Sequence, residues 1–245
     1  MPAAKKSSAP QGEADPAGRQ QEPAEQNFRS RNAMVKREKM RKRLLAATMS
    51  VTTDPHRSGP AMIDDVVKAA GVSRGAFYWY FDTLSDAVEE LGRELADEFG
   101  ADAYALFHNE PDPVLRAALG GQMMLHRAAM DIVWARYLGN VHVLLDDSQF
   151  VTAVRRNLTL GQEAGKFKFN SVMMASDFQI GALMSAIRRC TLTPIPRFAE
   201  LAGVNMLILR GLGVSSASAR SITDRALSII ESVGPHHLAW WKPSA

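Results

Sequence analysis

Residues 71–81 read GVSRGAFYWYF, and the fold turns on where the five consecutive aromatics Phe77, Tyr78, Trp79, Tyr80 and Phe81 can go. No single face of a helix or strand can hold all five, because successive side chains point in different directions. With Arg74 set to zero and roughly 100° per residue, Phe77 falls near about 300° and Phe81 near about 340°, an i, i+4 pair on one side. Trp79 then falls near about 140°, opposite that pair, with Tyr78 and Tyr80 on its flanks. The two phenylalanines are expected in the core. Trp79 is expected outside, beside the small residues Gly75 and Ala76.

The flanks complete the motif. Upstream, MIDDVVKAA (62–70) reads as a short helix with Ile63, Val66, Val67 and Ala70 on one face, closed by Gly71, the residue best suited to a left-handed helix end. Ser73 supplies an N-cap for the next helix, and Thr83, with Asp86 three positions on, caps a longer helix running past Phe99. Before them, Asn32 to about Thr52 carries Leu44, Leu45, Ala47, Thr48 and Val51 at helical spacing. Asp54, Pro55, Ser58, Gly59 and Pro60 make the turn between. Three helices, the last two separated by Gly71-Val72-Ser73, have helix-turn-helix spacing.

Charge is distributed to match. The net charge of +3 divides into three basic and four acidic groups over residues 1–28, eleven and four over 29–81, and fifteen and eighteen over 82–245. A basic segment ahead of a slightly acidic body fits a polyanion touched at one end. In a major groove, the Arg74 guanidinium can donate to guanine edges or phosphate. Small residues let the backbone approach, the rings meet thymine methyls, and tyrosine hydroxyls bond phosphates. The competing reading packs every ring inside the domain or in a protein interface. The run Arg29–Arg43, with eight Lys and Arg against one Glu, reads either as a solvated helix face or as a phosphate contact.

The run IDDVVKAAGVSRGAFYWYFDTLSDAV (63–88) closely resembles the N-terminal DNA-binding domain of TetR/AcrR regulators, and the likeness spans residues 40 to 90. The resemblance implies base or phosphate contact by Arg74, Gly75, Ala76, Tyr78 and Trp79, with Ser73 and Tyr80 on the backbone. Phe77 and Phe81 fall on core positions of that family, in agreement with the helical wheel. Three departures stand out. Leu84 replaces a Lys that contacts phosphate, Met62 replaces the Thr or Ser that caps the second helix, and TTDPHRSGPA (52–61) is a longer, proline-richer turn.

The rest of the chain reads as helices broken at 109–113, near Gly139, at 161–171, at 193–196 and at 211–215, with a last helix from about Ser216 to Val233. There is no alternating strand pattern and no internal repeat. LGQEAGKF (160–167) and ELAGVNMLILRGLGV (200–214) are similar to the ending of many TetR/AcrR regulators, in which helices near 173–191 and 197–212 would form a four-helix dimer interface. Gly181, Ala182, Ser185 and Ala186 would allow close helix approach there. Among the soft apolar residues Tyr104, Phe107, Met123, Met124, Met130, Trp134, Tyr137, Phe150, Met173 and Phe178, any one is more often plain core. As a group they suit an adaptable pocket. Phe107, Met123, Met130, Trp134 and Asn205 are the candidate ligand contacts, Asn205 alternatively bonding a backbone carbonyl.

Signs of enzyme chemistry are few. The six histidines form no H-x-x-x-H pair, Cys190 is the only cysteine, Gly211-Leu212-Gly213 lacks a third glycine, and Asp146-Asp147 read as a loop or helix start. No metal, cofactor or catalytic residue is expected. The single cysteine and the lack of an apolar leader or a span of about 18 apolar residues point to a reducing, cytoplasmic setting.

These readings yield an all-α, TetR-like chain. A tail at 1–28 precedes a helix-turn-helix DNA-binding domain at 29–82, a helical ligand-binding and dimerisation domain at 83–233 and a C-terminal tail at 234–245. The expected function is a homodimeric, ligand-responsive repressor that binds a near-palindromic DNA operator and is released by a small apolar effector. The alternatives are a DNA-binding or architectural protein without an effector switch, and a helical binding protein that does not bind DNA.

Overall fold

The computed structural model describes residues 22–140, 148–192 and 198–241. Its described residues are all helix and connection, with no strand: α1 (Glu22–Thr52), α2 (Ile63–Ala70), α3 (Arg74–Tyr78), α4 (Leu84–Phe107), α5 (Pro113–Met130), α6 (Ile132–Asn140), α7 (Gln149–Glu163), α8 (Val172–Cys190), α9 (Phe198–Gly211) and α10 (Ser216–His237). The chain divides into two compact units, Met1–Arg43 and Leu44–Ala245. The first contributes the exposed basic stretch of α1, where Arg41 and Lys42 pair with Glu38. Asp146 and Asp147, expected as a loop or helix start, and the expected break at 193–196 lie outside the described residues.

Helix α1 starts at Glu22, inside the segment expected to be tail. Glu, Ala, Gln and Arg are strong helix formers, and a proline in the first turn forfeits no helical hydrogen bond, so Pro23 is tolerated there.

Within the second unit the apolar residues form two cores. One gathers Leu44, Leu45 and Val51 of α1, Val66 and Val67 of α2, Phe77 and Phe81, Ala87 and Leu91 of α4, and Tyr137 of α6. The other fills the space between the end of α4 and α5–α10. The boundary expected at 82/83 does not part them. Helix α4 runs through both, and the Tyr137 hydroxyl donates to the Val88 carbonyl at 2.6 Å. Burial drives the Tyr137 phenol well above its ordinary pKa.

Helix α5 is the hub of the second core, with nearly every side chain from Pro113 to Ala128 buried. Close approach is built into its neighbours: a Cβ on Gly161 of α7 would lie 2.1 Å from the Phe167 ring.

Residues 234–241 are no tail. Helix α10 carries Pro235 within its last turn, and Leu238 and Trp240 are buried in the second core. Pro235 removes one helical hydrogen bond. Burying Leu238 and two indoles outweighs that loss, since a single large apolar side chain contributes about 1.5–3 kcal/mol. The Trp240 indole also donates to Asp102 of α4 at 2.8 Å.

Candidate nucleic-acid interface and effector site

The turn between α2 and α3 forms as its residues dictate. Gly71 adopts φ 63, and the Val72 and Gly71 amides donate to Val67 and Lys68. Ser73 then caps α3 by accepting from the Ala76 amide at 3.2 Å. Thr83 and Asp86 exchange reciprocal caps at the start of α4. Only Asp82 and Thr83 separate Phe81 from α4, and the Thr83–Asp86 caps fix that junction.

The five aromatics separate as the helical wheel requires. Phe77 is 0% exposed and Phe81 is buried, their rings 5.6 Å apart. Trp79 is 82% exposed and Tyr78 46%, while Tyr80 is half-buried against the first core. Regular α-helix ends at Tyr78, yet the Phe81 amide still bonds the Phe77 carbonyl at 3.1 Å, which keeps the two phenylalanines one turn apart. Gly75 is exposed and open.

Arg74 is exposed but engaged. Its guanidinium pairs with Asp64 of α2 at 3.0 Å and stands over the Tyr78 ring. The three departures also have structural readings. Leu84 packs against the first core, so it serves as an apolar support of α4. Met62 gives α2 no side-chain cap; Asp65 instead accepts from the Met62 amide at 2.9 Å. Arg57, from the long turn, bonds both Asp65 and the Pro60 carbonyl. The Met62 amide and then Arg57 hold the Asp65 carboxyl below its usual range. Of the basic run, Arg31, Lys36, Arg37 and Lys39 are exposed on α1.

The expected ligand contacts collect around the second core. Met123 and Trp134 are buried in it, and Phe107 and Met130 are partly buried against the same core. The Asn205 amide donates to the Ala118 carbonyl at 2.7 Å, the alternative recognised from sequence. Tyr104, Met173 and Phe178 are exposed, and Tyr137 belongs to the other core, so these four do not line the same region.

Sequence reasoning missed the polar residues of this core. In GGQMMLHRAAM, Gln122, His126 and Arg127 are all buried. The His126 ring stacks on Phe198 (4.2 Å) and Trp241 (5.5 Å), and its Nδ1 lies 3.0 Å from the Gln122 carbonyl. Burial pushes its pKa down to about 4, only partly opposed by that carbonyl. Arg127 reaches α4, where its Nη2 bonds both oxygens of Glu98 at 3.1 Å, and its guanidinium lies over Trp134 (4.9 Å) and Trp240 (5.6 Å). The available signal was the i, i+4 spacing of Gln122 and His126 in an apolar helix. A search restricted to His pairs and nucleophiles passes over it.

Among the described residues no cluster of three or more His, Cys, Asp or Glu is placed to hold a metal, and no helix is long and apolar enough to cross a membrane.

Residues 60–91 match the family model described as bacterial regulatory proteins, tetR family. That match covers α2, α3 and the start of α4, and agrees with the resemblance carried by the sequence. No curated protein matches the chain. Solved structures share its fold. RolR in complex with resorcinol superposes with a TM-score of 0.62 at 21% identity, covering 78% of this chain and 96% of that one. The fatty acid degradation regulator FadR from Bacillus halodurans gives 0.58 at 19% identity, over 72% and 97%. FadR from Bacillus subtilis in complex with stearoyl-CoA gives 0.51 at 17%, over 77% and 98%.

Proposed function

We propose, from the premise of a TetR-family helix-turn-helix set in a TetR-like all-helical fold, that the chain is a ligand-responsive repressor that binds a near-palindromic operator as a homodimer and has no enzyme activity. The observation that carries the DNA reading is the exposed Trp79, flanked by Tyr78 and by Arg74, on the helix that follows a Gly71–Ser73 turn. A bare indole on a solvated surface has no energetic reason to be there; against a groove it supplies apolar contact while Ser73, Tyr80 and Arg74 serve phosphates and Gly75 and Ala76 admit the backbone. Arg74 exchanges Asp64 for DNA on binding.

Dimerisation is supported by α8 and α9, which leave Met174, Phe178, Gly181, Ser185 and Leu207 on their exposed faces. Two recognition helices in such a dimer fit successive major grooves only near one helical turn apart, about 34–36 Å, or a multiple. Proteins of similar fold are seen with resorcinol and with stearoyl-CoA, which supports a small, mainly apolar effector here, against the second core near Phe107, Met123, Met130 and Trp134. The effector acts through α4, which carries the Thr83–Asp86 junction at one end and Glu98 and Asp102 further along. An effector that binds one setting of α4 more tightly shifts the helix spacing and releases the operator.

Selection of bound duplexes from a random pool tests this reading. The expected enrichment is of inverted repeats with half-sites about one turn apart; recovery of unrelated sequences would favour an architectural DNA-binding protein.

A further inference from the structure

Several buried polar atoms of α5, α6 and α8 have no hydrogen-bond partner among the described residues, and three of them are N–H donors on Arg127 and Trp134. Arg127 is 4% exposed and Trp134 1% exposed, yet Arg127 Nε, Arg127 Nη1 and Trp134 Nε1 are all buried with no hydrogen-bond partner among the described residues. Only Nη2 of the guanidinium is engaged, by Glu98. Buried polar groups are almost always paired, and an unpaired charged group is the costliest exception. Three such N–H groups on two stacked side chains therefore mark a place where an acceptor is energetically wanted.

The surrounding charge decides what kind of acceptor. Arg127 is already neutralised by Glu98, and Asp102 lies close enough for its charge and that of Glu98 to be felt by each other. Burial, together with Glu98, raises the Asp102 carboxyl above its usual range against the opposing Trp240 hydrogen bond. A third carboxylate brought here would meet two acidic neighbours and lose its own hydration. A carbonyl oxygen accepts two hydrogen bonds and brings no charge. The rings of Trp134 and Trp240, 4.9 and 5.6 Å from the guanidinium, suit an apolar body attached to it.

We propose that Arg127 and Trp134 form the polar anchor of the effector site, and that it takes an uncharged carbonyl compound, a ketone, ester, lactone or amide on an apolar skeleton. This rests on the effector-responsive reading given above and supplies its chemistry. It also supplies the coupling: the acceptor bonds the same guanidinium that holds Glu98, so occupation of the anchor is felt directly by α4.

The test uses the full chain with its four tryptophan indoles labelled with nitrogen-15, Trp134→Phe assigning the Trp134 signal and Trp79 serving as an internal control. The probes are 2-pentanone, butyrate, and pentane at its solubility limit. The ketone is expected to shift the Trp134 indole saturably and to bind about tenfold or more tightly than butyrate, because only it fits the charge of the site. Arg127→Met, which keeps length and loses every donor, should weaken the ketone about tenfold while leaving pentane unchanged. Should that variant not fold, Trp134→Phe keeps the ring under the guanidinium and removes one donor; the thermal stabilisation given by 2-pentanone should fall, and that given by pentane should not. Tighter binding of butyrate, or no saturable shift of Trp134 with the ketone, would overturn the proposal. Operator affinity measured in the same samples separates it from the reading on which it rests. A ketone that binds at Trp134 and leaves operator affinity unchanged defeats the effector switch and keeps the anchor. One that releases DNA without moving Trp134 defeats the anchor and keeps the switch.

Discussion

Two runs of adjacent aromatics meet opposite ends in this molecule. Tyr78 and Trp79 stand out from the recognition segment, while Trp240 and Trp241, only a few residues from the C-terminus, are packed into the second core. What separates them is what lies one turn away. Trp79 has the buried pair Phe77 and Phe81 on the opposite face of its own helix, so the helix is already anchored and the indole is spare. Trp240 and Trp241 follow the end of α10, where they and Leu238 are the anchor, and they find Asp102, Arg127 and His126. The exposed pair is read as an interface. The buried pair ties α4 to α5.

The largest expected effect is at the anchor of the exposed pair. Phe77→Ala should cost about 3–5 kcal/mol, the usual range for emptying a buried phenylalanine site. Denaturant titration measures it, and a loss below about 1 kcal/mol would mean that Phe77 does not anchor the recognition segment.

On the buried side, His126 gives a pH signature. Its folded-state pKa is depressed to about 4 from 6.5 by burial. Between those values the unfolded chain takes up a proton that the folded chain refuses. Stability is therefore complete above about pH 6.5 and declines as the pH falls toward 4, by about 3 kcal/mol in total. His126→Phe keeps a ring between Phe198 and Trp241 and should flatten that part of the stability–pH curve. An unchanged slope between pH 6.5 and 4 would show that some other group refuses the proton.

Trp240→Phe should be milder. It keeps most of the packing but leaves Asp102 without its indole donor, a loss of about 1–3 kcal/mol that chemical denaturation at neutral pH would register. A neutral result would mean that Asp102 is satisfied elsewhere and that the segment 238–241 is not a tie.

Smaller again is Asp64→Asn. The Arg74–Asp64 pair is more than half exposed on both sides, so solvent screens it and its contribution to stability is small. Removing Asp64 frees Arg74 and should tighten DNA binding with a steeper dependence on salt, by about 0.9 in slope for one added phosphate contact. Unchanged affinity and slope would indicate that Arg74 leaves Asp64 without cost, or never does.

Much of the first region was legible because its rules are local. Gly71 at a left-handed position, Ser73 and Thr83 as caps and the Phe77–Phe81 spacing each depend on residues within one turn. The second region depends on residues far apart in sequence. Trp240 and Asp102 are 138 positions apart, and nothing near Trp240 announces that an acceptor waits on α4. The last helix, expected to end at about Val233, runs on to His237, and the buried Leu238 and Trp240 that follow hold it in place. Gln122, His126 and Arg127 sat in plain view in α5, but their meaning came from rings supplied by α6, α9 and the chain end. Met62 and Leu84 show the same limit on a smaller scale: the sequence marked them as departures, and only packing assigned Asp65 and the first core as what stands in their place.

The exposed indole is the most direct point of attack. Wild type and Trp79→Ala should be titrated against one duplex chosen by selection from a random pool, and against a scrambled duplex of the same length, with melting curves taken on both proteins. If Trp79 meets a groove, the variant melts within about 0.5 kcal/mol of wild type and loses about tenfold or more in affinity for the selected duplex, with little change on the scrambled one. A variant that melts early, or that binds the selected duplex as tightly as wild type, would contradict the assignment of this face to DNA.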